Sequence, residues 1–101
     1  MKTDKEMQTD LKNILKRLDG SVHEMCSTRR RAMIDAAKRD VDKSLKGMET
    51  VTVESEAEEI YSGTLTDVKE TLTSLSKDNI DLRVDEARTQ LNMGFYGIKD
   101  L

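Results

Sequence analysis

The absence of proline is the feature that most constrains the fold of this chain. None of the 101 residues is a proline, so no pyrrolidine ring interrupts a helix in its interior. Aromatic residues are also scarce, with one Phe, two Tyr and no Trp, whereas β-sheets depend on aromatic and β-branched pairs across strands. Charged residues make up 37% of the chain. Together these features predict an all-α fold with coiled-coil character.

The length of the chain allows a single helical domain over residues 1–101. A chain this small buries only about two-thirds of its unfolded surface. We therefore expect an elongated helical hairpin or three-helix arrangement that is completed by oligomerisation. No apolar run approaches the roughly 18 residues of a membrane span. Because Cys26 is the only cysteine, no intrachain disulfide can form, and an intracellular location, cytoplasmic or nuclear, is expected.

Glycine and serine positions predict where the first two helices end and begin. The first helix is expected over about residues 3–19, because Gly20 suits a helix end. Ser21 followed three residues later by Glu24 has the pattern of a capping box. A second helix is therefore expected over about residues 22–47. The alternative is one helix that runs through Gly20 at a cost of about 1 kcal/mol.

A third helix is expected over about residues 56–93. Ser55 and Glu58 form a second capping-box pattern at its start. Late in this segment the apolar pattern shifts by one residue. The helix is therefore either continuous through a discontinuity in the pattern or broken near residues 77–79. Residues 94–101 would follow it as a C-terminal tail.

The third predicted helix carries a heptad pattern. Its members recur at alternating steps of four and three residues, which places them at the a and d positions of a coiled coil. We predict that this face, the seam, joins the chain to a second copy or to another helical protein. The polar Asn79 at an a position is expected to fix the register at some cost in stability. The seam consists of Tyr61, Leu65, Val68, Leu72, Leu75, Asn79 and Leu82.

The second predicted helix carries an excess of cations. Residues 26–46 hold seven basic and three acidic groups. These cations either form a solvated face or pack on the acidic second half of the chain, or they bind an external polyanion such as an acidic protein, nucleic acid or an acidic membrane. No aromatic residue lies among them to stack on bases, which makes nucleic acid the less favoured partner. This basic face consists of Arg29, Arg30, Arg31, Lys38, Arg39, Lys43 and Lys46.

The C-terminal segment holds two of the three aromatic residues of the chain. Glycines bracket them, and an apolar segment in such a polar chain needs a surface to cover it. We expect it either to fold back on the end of the helices or to dock into a partner. The residues of this C-terminal anchor are Phe95, Tyr96, Ile98 and Leu101.

The sequence offers little for catalysis or for metal binding. His23 and Cys26 have a spacing that would place them on one helix face, but a structural zinc site needs four ligands and the chain has no other His or Cys. The pair also lacks an orienting third group and a glycine-rich loop for an oxyanion hole. We therefore expect no catalytic residue, no metal site and no cofactor.

These observations lead to two hypotheses of function. The first is a non-enzymatic protein–protein interaction module, either a coiled-coil oligomerisation subunit or an assembly subunit of a larger complex. It would use the seam, the basic face and the C-terminal anchor. The alternative is a polyanion-binding module for nucleic acid or the acidic microtubule surface, which would use the basic face.

Overall fold

The computed structural model describes residues 2–49 and 52–101. Within these residues the chain forms four α-helices and no β-strand. The all-α prediction is confirmed, whereas the expected three helices are four. The helices are α1 (Asp4–His23), α2 (Ser27–Met48), α3 (Glu56–Thr73) and α4 (Ile80–Lys99).

The four helices form an up-and-down bundle. Each helix packs against the next along the chain, and α4 packs against α1. Contacts between α1 and α4 show the antiparallel order, because Lys12 lies over the ring of Phe95 while Asp19 binds Arg88. The described part of the chain measures 41 × 25 × 18 Å, so the bundle is compact and only modestly elongated.

A single hydrophobic core lies between the helices. Every helix contributes apolar residues at spacings of three and four, which is the pattern of a helix with one buried stripe. The stripes of all four helices therefore meet within one chain. The buried apolar residues are Met7, Leu11, Ile14, Leu15 and Leu18 of α1, Ile34, Ala37 and Val41 of α2, Ala57, Tyr61, Leu65, Val68 and Leu72 of α3, and Val84, Ala87, Leu91 and Ile98 of α4.

The predicted helix end at Gly20 is wrong, because α1 continues through the glycine. Ser21, expected to cap the next helix, is buried, and its hydroxyl donates to the carbonyl of Leu18 at 2.6 Å. A β-carbon at Gly20 would lie 2.6 Å from Cε of Met33 on α2, which is the far end of a flexible side chain. The second helix consequently begins only at Ser27.

The third predicted helix is in fact two helices, separated by residues 74–79. Asn79 lies in this turn rather than in a coiled-coil core. Its Oδ1 accepts a hydrogen bond from the N–H of Ser76 at 2.7 Å, and its Nδ2 donates to the carbonyl of Ser74 at 3.3 Å. These bonds stabilise the turn where the apolar pattern shifts, so the seam is not one continuous face.

The predicted C-terminal tail is mostly helical, because α4 runs to Lys99. Gly94 is buried against α3, where a β-carbon would lie 2.6 Å from Cγ2 of Thr64. Gly97 lies in the same helix and near Ile60. These glycines therefore permit close packing of α4 on α3, and neither one ends the helix.

Candidate functional site

The core of the chain takes up most of the predicted seam. Its four members on α3, from Tyr61 to Leu72, are at most 2% exposed. Leu75 is partly buried against the same core, whereas Leu82 is 61% exposed. A second chain would reach the buried members only if the bundle opened. Within this fold the α3 part of the seam stabilises the chain itself.

The basic face divides into paired and unpaired cations. Arg30 forms an ion pair with Asp81 at the start of α4, and Nε of Arg31 lies 3.7 Å from Asp35. The other five cations form no ion pair within residues 2–49 and 52–101. They are Arg29, Lys38, Arg39, Lys43 and Lys46.

The aspartates of α2 do not neutralise these five cations. Asp40 lies 2.7 Å from Nε of Arg17 on α1, and Asp42 lies 3.4 Å from Nζ of Lys69 on α3. Four of these five cations are exposed, and they fall within about one third of the helix circumference at 3.6 residues per turn. They extend over about 26 Å at 1.5 Å per residue. This α2 outer face consists of Arg29, Arg39, Lys43 and Lys46.

The outer side of α3 carries the opposite charge. Four of its carboxylates are exposed and form no ion pair in the described part of the chain. The only cation of α3, Lys69, is occupied by Asp42. Because α2 and α3 pack side by side, a basic and an acidic face are neighbours on the bundle surface. The α3 outer face consists of Glu56, Glu59, Asp67 and Glu70.

The C-terminal anchor divides between the core and the surface. Ile98 is buried in the core. Phe95 is partly buried beneath the ammonium group of Lys12, 5.0 Å from the ring centroid, and packs edge-to-face on Tyr96. Tyr96 and Leu101 are exposed, as is Met93 one turn earlier on α4. The structure therefore leaves an apolar patch at the end of α4.

A cleft of about 810 Å³ opens between α1, α2 and the start of α3. This volume lies within the usual range of small-molecule sites, about 300–1,000 Å³. Apolar side chains and charged groups alternate along its wall. The lining residues are Lys2, Met7, Asp10, Asn13, Ile14, Arg17, Asp40, Lys43, Ser44, Gly47, Met48 and Glu58.

Tyr61 joins a hydrogen-bond network beside this cleft. Its hydroxyl donates to Oδ2 of Asp10 at 2.8 Å, and Lys2 contacts both groups. Burial raises the pKa of Tyr61, so the phenol stays protonated at neutral pH. Burial alone would lower the pKa of Lys2, but its hydrogen bonds to Asp10 and Tyr61 raise it. The phenol of Tyr61 and the ammonium group of Lys2 are therefore both protonated at neutral pH.

Glu58 is a buried carboxylate in the wall of the cleft, with only 6% of its surface exposed. Its N–H donates to Oγ of Ser55 at 3.1 Å, and its Oε1 lies 3.4 Å from the same hydroxyl. Its Oε2 is buried and has no hydrogen-bond partner within residues 2–49 and 52–101. Such an oxygen favours a donor from outside the described chain.

The groups considered for metal binding stay apart. His23 is the last residue of α1 and Cys26 is the N-cap of α2, and both are exposed. Over residues 2–49 and 52–101 the structure shows no group of three or more His, Cys, Asp or Glu side chains placed to hold a metal ion.

No protein family model, curated protein or solved structure matches this chain significantly. None of the helices in the described ranges is both long enough and apolar enough to span a bilayer. What the fold and surfaces define is a small helical bundle with opposite charges on two adjacent helices.

Proposed function

We propose that this chain is a non-enzymatic protein–protein interaction module that assembles with copies of itself through the α2 and α3 outer faces. The observation that carries the proposal is the placement of four unpaired cations beside four unpaired carboxylates on neighbouring helices. Complementary potentials of this kind steer association and fix its register. The apolar patch of Met93, Tyr96 and Leu101 remains for a further member of a larger complex.

The side-by-side arrangement suits a twofold dimer. An axis parallel to the helices would place the α2 outer face of one copy against the α3 outer face of the other, and the reverse pair would form at the same time. Exposed ion pairs are worth only about 0.2–1 kcal/mol each and are screened by salt. The association is therefore reversible and sensitive to ionic strength. The exposed, single thiol of Cys26 supports a reducing, intracellular setting for this assembly.

Charge reversal in two separate variants tests the proposal. Arg39→Glu/Lys43→Glu reduces the net charge of the α2 outer face from +4 to zero, and Glu59→Lys/Glu70→Lys changes that of the α3 outer face from −4 to zero. Each variant alone should sediment as a monomer at low salt, because both contacts of its dimer then join a charged face to a face without net charge. An equimolar mixture should form a heterodimer, because one of its two contacts joins the unmodified α2 and α3 outer faces, whose charges are opposite.

A matched control changes the same number of charges elsewhere. Lys5→Glu/Lys16→Glu alters two exposed lysines of α1 that form no ion pair in the described residues, so it should leave self-association intact. The proposal fails if the unmodified chain stays monomeric at low salt across a wide concentration range. It also fails if mixing the two reversed variants restores nothing.

A second candidate function is polyanion binding by the α2 outer face. The observation that favours it is the engagement of the α2 aspartates by other groups, which leaves a row of about 26 Å of unneutralised cations. Affinity for duplex DNA should then fall steeply with salt, and Arg39→Ala/Lys43→Ala should reduce that slope by about 2. The Glu59→Lys/Glu70→Lys variant separates the two functions, since it should abolish self-association but not polyanion binding. A salt-independent affinity would exclude this candidate.

A further inference from the structure

We propose that the cleft between α1, α2 and α3 binds a primary amine on a short aliphatic chain, and that Glu58 is the residue that receives the ammonium group. This inference does not depend on the proposed assembly, because the cleft and the two outer faces use different parts of the surface. Lys43 is the one residue that belongs to both.

The charges in the cleft wall point to a cation as the missing group. Lys2 is paired with Asp10, and Arg17 is paired with Asp40. Within the described residues these pairs leave Lys43 and Glu58 of the wall without an ion pair. Lys43 is exposed and hydrated, whereas Glu58 is buried. A buried charge is costly unless a partner compensates it.

A primary ammonium group suits the unpaired carboxylate of Glu58, because it brings one positive charge and three N–H donors. Oε2 of Glu58 is the acceptor that lacks a donor. This oxygen is covered, and rotation about the terminal torsion only exchanges it with Oε1, so binding requires the Glu58 side chain to shift toward the cleft about its inner torsions. The ligand therefore needs a charged head small enough to reach a recessed site.

The apolar part of the wall explains why the amine should carry an aliphatic chain. Met7, Ile14 and Met48 contribute hydrocarbon surface to the cleft, and methionine side chains adapt to the shape of a bound apolar group. Burial of each methylene contributes to affinity in proportion to the area removed from water. A ligand that combines an ammonium head with an aliphatic chain therefore suits this site, and a five-carbon amine is a simple probe of that combination.

Titration of the isotope-labelled full chain with n-pentylamine, followed by amide chemical shifts, tests the proposal. 1-Pentanol serves as a probe of the same length without the charge. Pentylamine should cause saturable changes in the amide chemical shifts around Asn13 and Gly47. Its Kd should be at least about tenfold lower than that of pentanol, because a hydrogen bond to a charged group contributes at least that factor in affinity.

Glu58→Gln is the decisive variant, since it keeps the shape of the side chain and removes the charge. It should bring the affinity for pentylamine down to that for pentanol. Glu59→Gln, at the next and exposed position, is the matched control and should bind pentylamine as the unmodified chain does. Equal pentylamine affinity in Glu58→Gln and the unmodified chain would overturn the proposal, as would no preference for pentylamine over pentanol.

A variant of the opposite wall keeps the proposal testable if Glu58→Gln disturbs the fold. Gly47 lines the cleft, has no positive φ, and a β-carbon built there meets no atom within 4 Å. Gly47→Leu should therefore fold and narrow the cleft, which weakens binding of both probes by about tenfold or more. Undiminished binding of pentylamine to Gly47→Leu would place the amine elsewhere and end the proposal.

Discussion

Replacing Gly94 with alanine is expected to destabilise the bundle, although alanine is the better helix former. Gly94 is buried in α4, and its added β-carbon would lie 2.6 Å from Cγ2 and 2.9 Å from Cβ of Thr64. Because Cβ of Thr64 is fixed to the backbone of α3, rotation of its side chain cannot relieve that contact, and the two helices must separate. Overpacking of this kind costs about 1–3 kcal/mol.

Gly63→Ala is the matched control for this substitution. Gly63 is also helical, but it is exposed and its added β-carbon meets no atom within 4 Å. It should stabilise the chain by about 1 kcal/mol, the intrinsic advantage of alanine over glycine. The difference in the free energy of unfolding between the two variants cancels this intrinsic contribution. It should equal the overpacking cost alone, about 1–3 kcal/mol.

Urea unfolding followed by far-UV circular dichroism measures both variants on the same scale. Thr64→Ala in the Gly94→Ala background removes the two γ atoms, so the double variant should recover part of the loss, which appears as a coupling energy between the two sites. If Gly94→Ala is as stable as Gly63→Ala, α3 and α4 do not pack as closely as the structure shows.

Three further outcomes can be checked by the same unfolding measurement. Ser55→Ala should cost about 1 kcal/mol, because the hydroxyl of Ser55 accepts the N–H of Glu58 at the start of α3; an unchanged midpoint would contradict this. Leu65→Ala should cost about 2–5 kcal/mol as a core truncation, whereas Leu82→Ala should change stability by less than about 0.5 kcal/mol. A large loss at Leu82 would mean that another chain covers it. Stability should fall as pH rises above 10.0, because the pKa of Tyr61 is raised in the folded state and the folded chain therefore holds its phenolic proton longer than the unfolded one. Tyr61→Phe should flatten this decline, and an identical pH profile would refute the assignment.

The start of α3 shows where local sequence is sufficient to predict structure. The hydroxyl of Ser55 accepts the N–H of Glu58, and the helix begins at Glu56 as expected. The predicted capping box is only half formed, because the carboxylate of Glu58 contacts the hydroxyl of Ser55 and not its amide. Gly20 and Ser21 carry the same kind of signal, yet α1 continues through them. Gly20 lacks there the positive φ of a glycine that ends a helix, and no local sequence pattern distinguishes a glycine inside a helix from a terminating one.

The candidate sites show the limit of periodic patterns in another way. The spacing of Leu65, Val68 and Leu72 correctly indicates a buried stripe, but the same spacing would serve a dimer or a bundle within one chain. The capping box of Thr3 and Glu6, which begins α1, was readable in the sequence and was missed. The cleft could not be predicted from the sequence, because its wall combines side chains of three helices that no sequence repeat connects.

The closure of the core within one chain makes folding and association separate events. A coiled coil that shares its core between copies unfolds on dilution, so its melting temperature depends on protein concentration. Here the buried stripes of all four helices meet in a single copy, and the proposed contacts between copies are charged and superficial. A rise in ionic strength would thus take an assembly apart and leave each copy folded, ready to reassemble without passing through an unfolded state.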